Sequence, residues 1–381
     1  MRCINIKKLT FLALPLLLTP AFGHRAPNKQ LWPLWESYTA HFYDGQGRIV
    51  DWDGEGRTTS EAQSYALFFA LVANDRVRFE KLLSWTQQNL GAGDLKSHLP
   101  SWLWQNRVGG QKVVDIHSAS DADLWLAYTL LEAGRLWNEP RFTDIGRALA
   151  ERVANDEIRT VPGLGPMLLP GATGFETADG SYELNPSYLP LQLFLGLSHH
   201  LGSSPWSNVA AAVPRVLKES APHGFVLDWI AYREGEGFST LPVPVGEPAA
   251  SYDAIRVYLW TGMLPSKFPF GAQAKAAVSP MRAYMNSHPI PPAVVTGRGV
   301  VKDAHGSVGF SAAVMPLLSS LQDDAALQVQ KRRLDSERNA RTGLYGKNPR
   351  YYDQNLALFA TGWLESRFRF DERGLLQVNW K

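Results

Sequence analysis

Strongly apolar stretches recur along the chain, beginning near Glu61, Asp121, Tyr188, Asp253, Phe310 and Asn355, at spacings of 60, 67, 65, 57 and 45 residues. A helix that is apolar on most sides is a buried helix. Each of the first five is followed by a more amphipathic or polar stretch: Asp75 to Leu90, Arg141 to Asn155, Asn208 to Glu219, Ala272 to Asn286 and Asp323 to Asn339. Long-period helix–helix repeats signify a solenoid or a closed ring. These units are longer and more divergent than solenoid repeats. They predict an all-α fold, an (α/α)6 barrel of six inner and six outer helices, with Trp32 to Phe42 as the outer partner of the last inner helix. The segments between units are rich in Pro, Gly and aromatic residues. Val161 to Pro166 and Pro170-Gly171 read as turns around a short extended piece. Phe225 to Tyr232, followed by Gly235-Glu236-Gly237, predicts a hairpin. Long loops gathered at one end of a helical ring are where a binding groove is built.

Three of the apolar stretches open on a carboxylate. The segments are Thr59-Ser60-Glu61, Ser120-Asp121-Ala122-Asp123 and Tyr252-Asp253-Ala254. If the ring brings these starts together, one cleft is lined with carboxyl groups, which suits acid–base chemistry on a neutral substrate. Each acid alone has a plainer explanation. Glu61 follows Thr58, Thr59 and Ser60, and an acid in a first helical turn complements the helix dipole by about 0.3–1 kcal/mol. Set among aromatic residues and partly desolvated, the same carboxyl favours its protonated form, as a general acid requires. Asp253 precedes Arg256 by three residues, either as a surface ion pair or as a base kept ionised by its neighbour. Asp121 and Asp123 lie on opposite sides of one helical start, so only one faces the ring interior. Asp123 is expected to cap.

Other features refine this picture. Residues 1–23 have a basic start (Arg2, Lys7, Lys8), a short apolar run (Leu9 to Leu18) and a small-x-small site at Ala21-Phe22-Gly23, the pattern of a cleaved secretory signal. An uncleaved anchor is the alternative. The catalytic domain is then residues 24–381, periplasmic or secreted, without stable membrane insertion. Cys3 is the only cysteine, so the mature chain has neither disulfides nor cysteine-based metal sites. Without the three basic residues of that segment the balance is 35 basic to 36 acidic residues, or −1, and no basic stripe marks a nucleic-acid binder. No metal or cofactor is expected. Thirteen tryptophans are present. Trp102 and Trp104 face one way if their loop is extended, either as a stacking platform or as core plugs. Asn185 and Tyr188, at the start of the third inner helix, bring an amide and a phenol to the same rim, or simply cap it.

The segments Ser60-Glu61-Ala62-Gln63-Ser64-Tyr65, Ala119-Ser120-Asp121-Ala122-Asp123 and Ser251-Tyr252-Asp253-Ala254-Ile255-Arg256 resemble glycoside hydrolase family 8. The likeness extends through Leu99 to Trp104, Asn185 to Pro190 and Gly309 to Ala313, with mild departures at Leu126 and Thr129. It implies an inverting endo-β-1,4-glucanase of the periplasmic kind that serves bacterial cellulose biosynthesis, with a cellulose synthase or export complex as a possible partner. In that reading Glu61 is the general acid and Asp253 the general base. Asp121 holds the distorted sugar, Tyr252 and Arg256 orient the base and its water, and Trp102 and Trp104 stack on glucosyl rings. Other polymers (xylan, chitosan or mixed-linkage glucan) and a non-catalytic glycan-binding subunit are the alternatives.

Overall fold

The computed structural model describes residues 31–107, 110–202, 204–241 and 247–381. The secretory segment and Cys3 lie outside the described residues. Among the described residues twelve α-helices alternate between two layers. The inner set is α2 (Ser60–Val72), α4 (Ser120–Trp137), α6 (Leu191–Leu201), α8 (Ile255–Gly262), α10 (Val308–Ser320) and α12 (Tyr351–Leu364). The outer set is α1 (Pro33–Phe42), α3 (Arg76–Asn89), α5 (Pro140–Asp156), α7 (Trp206–Glu219), α9 (Gly271–Ser287) and α11 (Asp324–Glu337). Each inner helix packs on the next along the chain, and each outer helix packs on its inner partner, with α1 on α12. Phe359 of α12 closes the ring: its ring centroid lies 5.0, 5.4 and 4.6 Å from those of Tyr65, Phe68 and Phe69 of α2. This is the (α/α)6 barrel that the alternation predicts.

The burial pattern shows why the two layers differ in sequence. In α2 only Glu61 among thirteen residues is not buried. In α3 only Phe79, Leu82, Leu83 and Thr86 are buried, a single face. A helix enclosed by neighbours on all sides must be apolar all round, whereas an outer helix needs one apolar stripe. Some of the polar groups inside are tied to backbone. Gln63 accepts from Ile49 N at 2.8 Å and donates to Gly47 O at 2.9 Å.

Among the described residues the strands lie in the connections and in a C-terminal hairpin, Phe368–Phe370 with Leu376–Val378, after α12. Ile230–Arg233 pairs with Gly237–Thr240, the expected hairpin, and the extended piece expected between the turns at 161–171 pairs as Gly165–Leu168 with Ile158–Val161. Gly163 and Gly165 turn this second pair at φ +74° and +91°, backbone conformations that disfavour a side chain. Two helix starts differ from the sequence expectation. A short 3-10 turn, Pro186–Tyr188, precedes α6. Asp253 sits in the turn before α8, not in its first helical turn.

Candidate active site

The three acid-bearing starts converge on one side chain. Arg256, 1% exposed, reaches Glu61 Oε2 at 2.6 Å and Asp121 Oδ2 at 2.8 Å through Nη1, and Asp253 Oδ1 at 2.8 Å through Nη2. Tyr65 OH and Ser187 Oγ complete the contacts of these two nitrogens at 3.2 and 3.0 Å. The Tyr188 ring lies 5.4 Å from the guanidinium carbon. Burial opposes the arginine's charge, but Tyr65, Tyr352, Glu61 and Asp121 around it hold its pKa well above the ordinary value.

Local sequence positions each acid. Thr59 caps α2 by accepting from Ala62 N at 3.1 Å, which leaves Glu61 in the first turn, facing the opening. Tyr351, at the start of α12, donates to Glu61 Oε1. Asp121 is buried, and burial pushes its carboxyl up to about 7. Arg256 opposes the rise and Glu61 adds to it. Three carboxyl groups on one guanidinium leave a net −2 when all are ionised. Mutual repulsion of this kind favours keeping a proton within the cluster. Asp253 is the most open of the three. Its Oδ2 accepts from Asn185 Nδ2 at 3.0 Å and from Trp229 Nε1 at 3.1 Å. The turn that carries it is held by Asp228, which accepts from Ser251 N at 2.8 Å and Ala254 N at 2.7 Å. Burial raises Asp228 to about 6, with the Asp253 charge adding to it.

Hollows of similar size flank this cluster. One, of about 410 Å³, is walled by Trp102, Phe175, Tyr188 and Trp229, with Ser118 and Pro170 beside them. Phe175 and Trp229 lie nearly parallel, 6.1 Å apart. The other, of about 400 Å³, is lined by Glu61, Tyr252, Tyr351, Tyr352, Asp51 and Arg57. Glu61 lines the second hollow and Asp253 bonds Trp229 of the first, so the acid cluster touches both.

A family model described as glycosyl hydrolases family 8 matches residues 6–366. The chain belongs to this family. It is thus an enzyme that cleaves glycosidic bonds. It is 42% identical to an endoglucanase of Escherichia coli (strain K12) over 370 residues, covering 96% of this chain and 95% of that protein. It is 43% identical to an endoglucanase of Xanthomonas axonopodis pv. citri (strain 306), covering 96% and 94%. The crystal structure of an endo-1,4-D-glucanase from Vibrio fischeri ES114 superimposes with a TM-score of 0.85 at 38% identity, covering 92% of this chain and 99% of that one.

The hydrolase places most of its sequence-predicted site residues together, with two corrections. Trp104 is 4% exposed. Its ring lies 5.3 Å from Trp85, and Arg48 covers it at 4.3 Å. A register irregularity between Leu103 and Trp104 breaks the two-residue alternation that was to point Trp102 and Trp104 the same way. Trp102 alone reaches the hollow. Trp104→Ala is therefore expected to cost about 3–5 kcal/mol of stability, the range for a buried large aromatic. Trp102→Ala is expected to cost much less, and thermal unfolding of the two variants checks the contrast.

The second correction concerns Asp123. The residue preceding α4, Ala119, has no side-chain cap, and Asp123 is fully buried against Glu157 instead of capping. Tyr252 stands at the rim, 44% exposed. Its carbonyl, rather than its ring hydroxyl, accepts a bond from Tyr352 OH. The sequence reading missed Tyr351, Tyr352, Trp229, Asp228 and Ser187. None lies in the three acid motifs. The available signal was that each sits at or near the start of an inner helix or, for Asp228 and Trp229, in the loop just before the strand Ile230–Arg233.

Proposed function

We propose that this hydrolase cuts β-1,4-glucan internally, with Glu61 as general acid and Asp253 as general base. The observation that carries this is the single guanidinium joining Glu61, Asp121 and Asp253 in a cluster that touches both hollows. A polymer lying across the two hollows places glucosyl units on both sides of the acids, as internal cleavage requires. Trp102, Trp229 and Tyr188 offer flat faces for sugar rings on one side, and Tyr252, Tyr351 and Tyr352 do so on the other. The likeness to endoglucanases over nearly the full chain supports a glucan substrate.

In the first event Glu61 gives its proton to the glycosidic oxygen as the bond to the anomeric carbon breaks. Tyr351 and Arg256 fix that carboxyl in place. Asp253, aligned by Asn185, Trp229 and Arg256, takes a proton from water, and the water oxygen bonds to the anomeric carbon from the opposite face. Asp121, deeper in the cluster, holds the hydroxyls of the distorted ring. Arg256 stands between Glu61 and Asp253, each on a different nitrogen. An inverting pair stands roughly 6.5–9.5 Å apart, against roughly 5–5.5 Å for a retaining one, to admit that water. Transfer to water with inversion releases the α-anomer.

Proton NMR of freshly formed cello-oligosaccharides tests this. The α-anomer signal is expected first, and β first would overturn the inverting assignment. A panel of carboxymethylcellulose, xylan, chitosan and mixed-linkage glucan tests the polymer; faster cleavage of any but the first would redirect the substrate assignment. Asp253→Asn is expected to reduce turnover by about 10²–10⁴-fold, the usual contribution of a positioned acid or base. We further propose that the enzyme acts in the periplasm or outside the cell, on glucan made during cellulose synthesis. Among the described residues no helix is long and apolar enough to cross a membrane.

A further inference from the structure

Asp123 and Glu157 take no part in the chemistry above, yet both are completely buried. Asp123 lies on α4 two residues beyond Asp121, and Glu157 ends α5. Among the described residues, both carboxyl oxygens of Asp123 and Oε2 of Glu157 are buried without an N–H or O–H donor, and each carboxyl acts directly on the other. Two ionised carboxylates have no donor between them, so this contact exists only while the pair keeps a proton. The pair is tied to the aromatic hollow. Ser118 Oγ donates to Glu157 Oε1 at 2.6 Å and accepts from Ala172 N at 3.1 Å. Leu169 N donates to Glu157 O at 2.9 Å, and Ser120 N to Pro170 O at 3.0 Å. Gly171 allows the close approach of these loops, since a Cβ there would lie 2.7 Å from Ser118 O. Ser118 and Pro170 are themselves part of the hollow's wall.

We propose that Asp123 and Glu157 are positioning residues: a proton-sharing pair that fixes the loop wall of the aromatic hollow and the start of α4 bearing Asp121, so that losing the shared proton loosens the grip on substrate. The inference rests on the glucanase reading, because the hollow is taken as a sugar site. Burial raises both carboxyls, Glu157 to about 8. The charged groups acting on the pair are Asp121 from α4 and Asp156 from α5, both acidic, so neither favours ionisation. The wall is thus secured at neutral pH and released in the alkaline range.

The test is the pH dependence of KM and kcat on carboxymethylcellulose, with cellotetraose affinity followed by tryptophan fluorescence. In the wild type, KM and the cellotetraose Kd are expected to rise about fivefold from pH 7 to pH 9. Asp123→Asn keeps an N–H donor at every pH and is expected to flatten that rise while leaving KM at pH 7 within twofold. Glu157→Ala removes the acceptor of Ser118 and is expected to raise KM at pH 6 about tenfold with a smaller change in kcat, and Glu157→Gln is expected to restore it. An Asp123→Asn profile that follows the wild type, or wild-type KM and Kd that do not change between pH 7 and pH 9, would overturn the proposal. If Glu157→Ala fails to fold, the Asp123→Asn profile decides. Cellotetraose binding without turnover by the wild type would count against the glucanase reading alone, and the Kd profile would still judge the pair.

Discussion

Replacing Glu61 with glutamine is expected to lower turnover of carboxymethylcellulose by about a thousandfold, within the range for loss of a positioned proton donor. The substitution keeps the size, and its one carbonyl oxygen can keep the bond from Arg256 while its NH2 donates to the Tyr351 hydroxyl oxygen. An amide has no proton to give the leaving oxygen, so bond breaking stalls while sugar contacts in both hollows persist. Calorimetry should therefore find cello-oligosaccharide affinity within a few-fold of wild type. The combination distinguishes chemistry from binding: lost turnover with lost affinity would make Glu61 a binding residue, and wild-type turnover would remove it from the mechanism.

Replacing Arg256 with leucine is expected to abolish measurable hydrolysis and to destabilise the fold by about 3–5 kcal/mol, the usual consequence of stripping one partner from a buried ionic cluster. Among the described residues the arginine is the only cation bonded to Asp121, and it also bonds Glu61 and Asp253. Without it, the carboxyl groups face one another undiluted. The damage should depend on pH in a definite direction. Asp121 has its folded pKa raised, from 3.8 to about 7. Its contribution to stability is therefore fully present below about pH 4 and is lost as pH rises towards 7, because there the folded state binds the proton more tightly than the unfolded chain. Removing the positive charge pushes Asp121 further up. At pH 5 it is protonated and the deficit shrinks, whereas at pH 8 it is largest. Thermal unfolding of wild type and variant at both values measures this. An equal loss at pH 5 and pH 8 would mean that Arg256 matters by packing, not by charge.

Much of the architecture was legible in the chain. Leu67, Phe68, Phe69 and Ala70 leave no solvent face to α2, whereas Glu80, Lys81 and Gln87 give α3 one. That contrast, repeated, separates inner from outer helices. The acids Glu61 and Asp253 were legible for the same reason, since a charged group beside an otherwise apolar stretch needs a partner. The partners were not. Tyr351 is 290 positions from Glu61 and Asp121 is 135 from Arg256, and nothing in local periodicity encodes a contact made by closing a ring. Trp104 shows the converse limit, because one irregularity in a short strand turned a side chain from the cleft into the core.

The sequence by itself determined the two-layer helical ring and the candidacy of three carboxylates, because burial periodicity and helix-start chemistry are local and survive in one dimension. The tertiary structure decided that those carboxylates share one guanidinium, that Trp229 and Asn185 align Asp253, and that Asp123 pairs with Glu157 instead of capping. These follow from distances between segments far apart in the chain. Such distances are set by how six inner helices close on one another, not by any helix alone.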